Sequence, residues 1–174
     1  MPWGSAGYVQ RHAAELDHHI VAITFDIGSG KTIGFYLNGR EELRKPIDEI
    51  LAKVSNFKVT DHSMEAVDGT DNFDFMLSGV PNLVANQVPD SYLPDYHAES
   101  DVFQAVDQRE AAMNDAIAAV LVWGIAQRPE PLAARQTRSE VEKLLRDTHV
   151  DEQMKSFDQW DDWEEGRRGV SRQN

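Results

Sequence analysis

Asp26 stands where a short apolar run, residues 20–25, breaks into Gly28-Ser29-Gly30. That puts a carboxylate at the C-terminal end of an expected strand. Ligands of open α/β sheets bind beyond such strand ends, so Asp26 either holds a cation there or caps its own glycine-rich turn. His97 lies downstream, in Tyr96-His97-Ala98-Glu99-Ser100-Asp101, on a loop that follows the last expected strand. Its imidazole either faces the same rim or is a polar surface group. Imidazole with carboxylate suits zinc. The chain has no cysteine, which excludes thiolate metal sites and disulfides.

Asp71, in Gly69-Thr70-Asp71-Asn72-Phe73, has two readings. It is a helix N-cap favoured by the helix dipole, or a carboxylate that orients a metal-bound group or a nearby histidine. Asp101 orients the His97 loop or starts the helix after it. Tyr92 and Tyr96 bracket a loop that can line a substrate pocket, or they are packing aromatics. His18 and His19 point about 100° apart on a helix and cannot chelate together from one face, so they are read as a helix end. His12 falls on a half-buried helix side, and His62 and His149 show no convincing partner. The run Gly28-Ser29-Gly30-Lys31-Thr32 lacks the first glycine of a phosphate loop, because Phe25 occupies that position.

Alternating strand and helix signals must position these groups. Residues 5–18 carry apolar positions at helical spacing. Strands are expected at 20–25, at 33–37 closed by Asn38-Gly39, at 57–60 and at 81–85. Helices are expected at 41–54, at 70–77, and from an Asp107/Glu110 capping box to Ala126. The pattern predicts an α/β domain whose mainly parallel sheet is flanked by helices. The core is expected within the first 126 residues. Residues 129–138 read as a linker and 139–149 as a helix. Phe157, Trp160 and Trp163 mark an extension that docks, because three exposed aromatics would form an apolar patch.

Thirty acidic against seventeen basic residues leave a net charge of -13. Such a chain repels nucleic-acid phosphates and anionic membrane surfaces. Its 41% hydrophobic content argues for a folded domain. No run of about eighteen apolar residues and no signal-peptide layout occurs, so a soluble chain without a targeting segment is expected and its compartment stays open.

Several stretches match one family in order: Gly4-Ser5 with Tyr8-Val9, Ile23-Thr24-Phe25-Asp26-Ile27-Gly28-Ser29-Gly30, Gly69-Thr70-Asp71-Asn72-Phe73, Ser78-Gly79-Val80-Pro81, and Tyr96-His97-Ala98-Glu99-Ser100-Asp101. From residue 4 to about 126 the chain resembles metallopeptidase family twenty-eight, which holds double-zinc aminopeptidases and glutamate carboxypeptidase-like enzymes. Residues 144–166 also resemble a C-terminal extension of some bacterial members. The resemblance implies a partial zinc-exopeptidase fold over residues 1–128, with a helical extension over 129–174. It implies that Asp26 binds one zinc and His97 the other, and that the intact parent, often exported, hydrolyses peptides through a metal-activated water. Family members carry a His, a bridging Asp and a Glu-Glu pair ahead of the match, and these have no counterpart here. Each zinc is therefore expected to keep one ligand, no general-base glutamate is expected, and the chain alone is expected to be inactive. The alternatives are a noncatalytic remnant or interaction module, or half of a split enzyme completed by an N-terminal chain. Self-association through an exposed sheet edge is a further expectation. Aminopeptidase and carboxypeptidase-like activities are not separated by these residues.

Overall fold

A computed structural model describes residues 3–89 and 92–172. Its sheet has three strands: β1 (Ala22–Thr24), β2 (Thr32–Tyr36) and β3 (Asn82–Gln87), in the order β1-β3-β2. β1 runs parallel to β3, with Ile23 opposite Leu83, while β2 runs antiparallel to it, with Phe35 opposite Ala85. This corrects the mainly parallel expectation: the sheet is mixed. The cause is the connection between β1 and β2. Residues 25–31 are too few for the crossover of about a dozen residues that returns a chain to run parallel, so β2, across β3 from β1, runs opposite to it.

The expected strand at 57–60 is absent. A 3-10 turn over Ala52–Phe57 ends at Lys58 in the left-handed region (φ 56°), which breaks extended geometry. The chain then runs irregularly beside β2. Thr60 and Asp61 N–H both donate to the Ile33 carbonyl at 2.8 Å, and Ser63 N–H donates to Phe35 at 3.0 Å. Gly34 permits this approach, since a Cβ there would lie 1.8 Å from the Asp61 carbonyl oxygen. The Asn38-Gly39 pair follows β2 with both φ angles positive, at 50° and 75°. The buried Asn38 side chain accepts from Val67 N–H at 2.8 Å, and Gly39 N–H donates to Met64 at 3.0 Å.

Helices enclose the sheet. The expected helix over residues 5–18 divides at His12 (φ -105°, ψ 24°) into α1 (Trp3–Arg11) and a 3-10 turn, Ala13–His18. The one over 41–54 is α2 (Arg44–Leu51) between two 3-10 turns. α3 (Asn72–Leu77) and the short α4 (Tyr92–Asp95) flank β3 in sequence. α5 (Gln108–Ala126) starts where the Asp107 carboxylate accepts from Arg109 and Glu110 N–H, at 2.9 and 3.0 Å. Glu110 Oε2 makes no return bond, so only half of the expected capping box forms. α6 (Arg138–Asp147) carries a complete box between Thr137 and Glu140. α7 (Val150–Ser156) and α8 (Trp160–Glu164) close the chain. Among the described residues no helix is long and apolar enough to cross a membrane.

Two cores result. Phe35, Leu37, Leu83 and Ala85 of the sheet region pack with Ile47 and Ile50 of α2 and with Ile117 and Leu121 of α5. A second cluster joins Phe73, Met76 and Leu77 of α3 to Leu144, Leu145, Met154, Trp160 and Trp163. The expectation of a core confined to the first 126 residues is thus corrected, because seven of the ten buried residues of the second cluster come from the extension. Two of the three tail aromatics go inside, while Phe157 stays 65% exposed.

Candidate functional site

Asp26 follows the last residues of β1, and two buried amides set its place. Gln87 at the end of β3 donates through Nε2 to the carbonyls of Gly28 and Gly30, at 2.9 and 3.0 Å, and accepts from Ile27 N–H at 3.3 Å. Asn114 of α5 donates to Gly30 at 2.9 Å and accepts from Thr32 N–H and Oγ1, at 3.0 and 2.8 Å. The turn is therefore held by side chains on two other elements. Asp26 itself caps nothing in it, which removes the turn-cap reading of that carboxylate.

A cavity of about 550 Å³ opens at this strand end, lined by Asp26, Asp68, Asp71 and His97 together with Phe157 and Arg168 of the extension. Three groups singled out in the sequence thus share one wall. Asp71 precedes α3 at its N-cap position but its side chain caps no N–H. Thr70 Oγ1 instead bonds the Asn72 side chain. The Asp26 carboxyl is held above its ordinary range, first by partial desolvation and then by the negative charge of Asp71, with His97 acting in the opposite sense. His97 takes a left-handed φ of 55°, and its ring stacks on Tyr96 at 3.9 Å between centroids. Tyr96 serves as a platform for the imidazole. The side chain of Tyr92 lies outside the described residues.

Asp101 is placed elsewhere. It lines a second cavity of about 370 Å³ with Phe25, Asp95, Asn114 and Asp115. His62, read in the sequence as lacking a partner, has two. Its Nδ1 accepts from Phe35 N–H at 3.0 Å, and Nε2 lies 3.1 Å from the Asp48 carboxylate.

Arg168 was missed because nothing local in Gly166-Arg167-Arg168-Gly169 marks it. Its Nε donates to Asp74 Oδ1 at 2.9 Å, and its Nη1 to Gln159 Oε1 at 2.6 Å. The guanidinium lies 4.8 Å over the Phe73 ring. Asp74 is 0% exposed and also accepts from Ser5 Oγ at 2.8 Å. The aromatic tail signal predicts docking, and docking delivers this residue.

The donors do not make a metal site. Among the described residues no three His, Asp or Glu side chains converge so as to hold an ion, whereas a bound zinc ordinarily takes at least three protein ligands. The cavity lining contains no glutamate to act as a base. Both adjacent Glu pairs lie away from it: Glu41 and Glu42 pair with Arg44 and Arg40, and Glu165 of Glu164-Glu165 pairs with Arg167.

No family model and no solved structure matches the chain. Over 129 residues it is 24% identical to Carboxypeptidase Q of Bos taurus, a match covering 74% of this chain and 27% of that protein. The chain thus spans about a quarter of the relative's length. With Asp26, Asp71 and His97 on one cavity, this similarity supports a distant relationship to a peptidase.

Proposed function

We propose that this chain forms the C-terminal part of a zinc-dependent exopeptidase, supplying one wall of the site in which a peptide bond is hydrolysed. The observation that carries the reading is the convergence of Asp26, Asp71 and His97 at the C-terminal end of β1. The similarity to a carboxypeptidase over most of the chain adds to it. Asp26 and Asp71 give the cavity a negative wall that attracts a cation, either an α-ammonium or a metal ion. Partial desolvation and the negative charge of Asp71 hold the Asp26 carboxyl above its ordinary range, which raises its demand for such a partner. His97, steadied by Tyr96, offers a ring nitrogen to the cavity.

The remaining donors and the base are to come from another polypeptide segment, so the chain alone is expected to bind zinc weakly. The test compares turnover of dipeptides and aminoacyl p-nitroanilides by the chain alone and by the chain mixed with a polypeptide carrying the His, Asp and Glu-Glu set. The reading expects zinc-dependent turnover only in the mixture, lost on Asp26→Ala or His97→Ala. A general base contributes about a hundred- to ten-thousand-fold, so its absence should leave the lone chain near background. A mixture that forms a stable complex, takes up zinc and still turns over no peptide sinks the proposal.

A further inference from the structure

Three of the ten described residues that line the cavity at the end of β1 are aspartates, and the extension adds one group of opposite sign. Arg168 is the one Lys or Arg among its described lining residues. Its side chain is 11% exposed and fixed at three points, by Asp74 through Nε, by Gln159 through Nη1 and by the Phe73 ring beneath it. Among the described residues Nη2 has no hydrogen-bond partner. Nη2 is not buried away from water, so this donor is open to a ligand entering the cavity.

We propose that Arg168 is a specificity-determining residue that receives the carboxylate of a ligand bound in this cavity. The assignment rests on reading the cavity as a peptide site, and goes beyond it by naming the group recognised and the residue that recognises it. Chemistry and placement agree. The planar fork of an arginine matches a carboxylate better than any other donor in the chain. Asp26, Asp68 and Asp71 repel an anion from the rest of the wall, so a free carboxylate settles only at Arg168. Three fixing contacts remove most of the side chain's rotational freedom before binding, which lowers the entropic cost of the contact. The C-terminal extension therefore belongs to the site: its role is to carry this guanidinium to a wall that the residues near β1 cannot furnish.

Binding of glycyl-phenylalanine and of its C-terminal amide to the full isotope-labelled chain tests this without requiring turnover. The free acid should bind about tenfold or more tightly than the amide, since a charge-assisted hydrogen bond is at stake. The Arg168 side-chain resonance should move with the acid alone. Arg168→Gln should bring the two affinities together, and Arg168→Lys should restore part of the difference. Asp74→Asn loosens the same anchoring without removing the Nη2 donors and should keep the preference. If Arg168→Gln undocks the tail, seen as a change in Trp fluorescence, the wild-type shifts still decide. Equal binding of acid and amide, or an Arg168 resonance unmoved by the acid, overturns the assignment and leaves the exopeptidase reading to its own assay. Absence of binding by either peptide at about 50 mM also overturns it.

Discussion

At the scale of single residues, Asp26 and His62 carry opposite penalties. The Asp26 carboxyl titrates above its ordinary value, chiefly through desolvation. A raised folded-state pKa means that any stabilisation is present below the unfolded value and lost as pH rises through the folded one. At neutral pH the ionised Asp26 therefore weakens the fold. Asp26→Asn should raise the melting temperature at neutral pH, with the gain fading toward about pH 3. Unchanged melting would mean that the carboxylate is better solvated than its surroundings imply. Burial holds His62 below its ordinary value, with Asp48 only partly opposing. Its contribution to stability is present above the unfolded value and lost as pH falls through the folded one. Protonation would also remove the acceptor of Phe35 N–H. Denaturant midpoints should fall on acidification below about pH 6.5, and His62→Gln should flatten that dependence. The partners of His62 lie on β2 and α2, at separations no local pattern reveals, which is why the sequence left this histidine alone.

At the scale of elements, the turn after β1 is the part to perturb. Gln87→Ala removes two donated bonds and one accepted bond from residues 27–30. It should cost about 1–3 kcal/mol by removing the side-chain donor of the Gly28 carbonyl and one of the two on Gly30, measured by denaturant unfolding. Amide exchange should quicken at Ile27 while the α6 amides stay protected. Uniform acceleration would show that Gln87 supports the fold generally and not this turn. The apolar runs that became β1, β2 and β3, and the long α5, were legible because each keeps one periodicity. Strand direction was not, since it depends on how few residues join β1 to β2. Nor was the loss of the strand expected at 57–60, which turns on the left-handed geometry of Lys58.

On the scale of the whole molecule, the extension and the first helix meet at one buried charge. Arg168 and Ser5 both bond Asp74, and Gln10 donates to the Arg167 carbonyl at 3.0 Å. Arg135 ties Ser78 to the backbone at Val170. Gly79, with φ 76° and the Gln136 carbonyl 2.3 Å from where a Cβ would sit, lets the linker reach α3. Removing residues after Ala126 would uncover Phe73, Met76 and Leu77 and strand Asp74. Dye binding and proteolysis should both rise. Trp163→Ala, emptying the place of the largest fully buried side chain among the described residues, should cost about 3–5 kcal/mol in the same unfolding assay. A truncated chain as protease-resistant as the whole would mean that the second core is dispensable. Docking of the tail was legible from its tryptophans. The wall it adds to the cavity was not, because Asp74 and Arg168 are joined only in three dimensions.

The turn after β2 sets a chemical clock. Asn38-Gly39 is the chain's one Asn-Gly pair, the pairing in which an asparagine side chain most readily cyclises onto the following backbone nitrogen and deamidates. Here that nitrogen is bonded to Met64, and the Asn38 side chain is buried and bonded to Val67 N–H. Ring closure has to wait for the turn to open. The rate of deamidation in stored protein, divided by that of a short unfolded peptide of the same sequence, therefore measures how often this one turn comes apart while the rest of the chain stays folded.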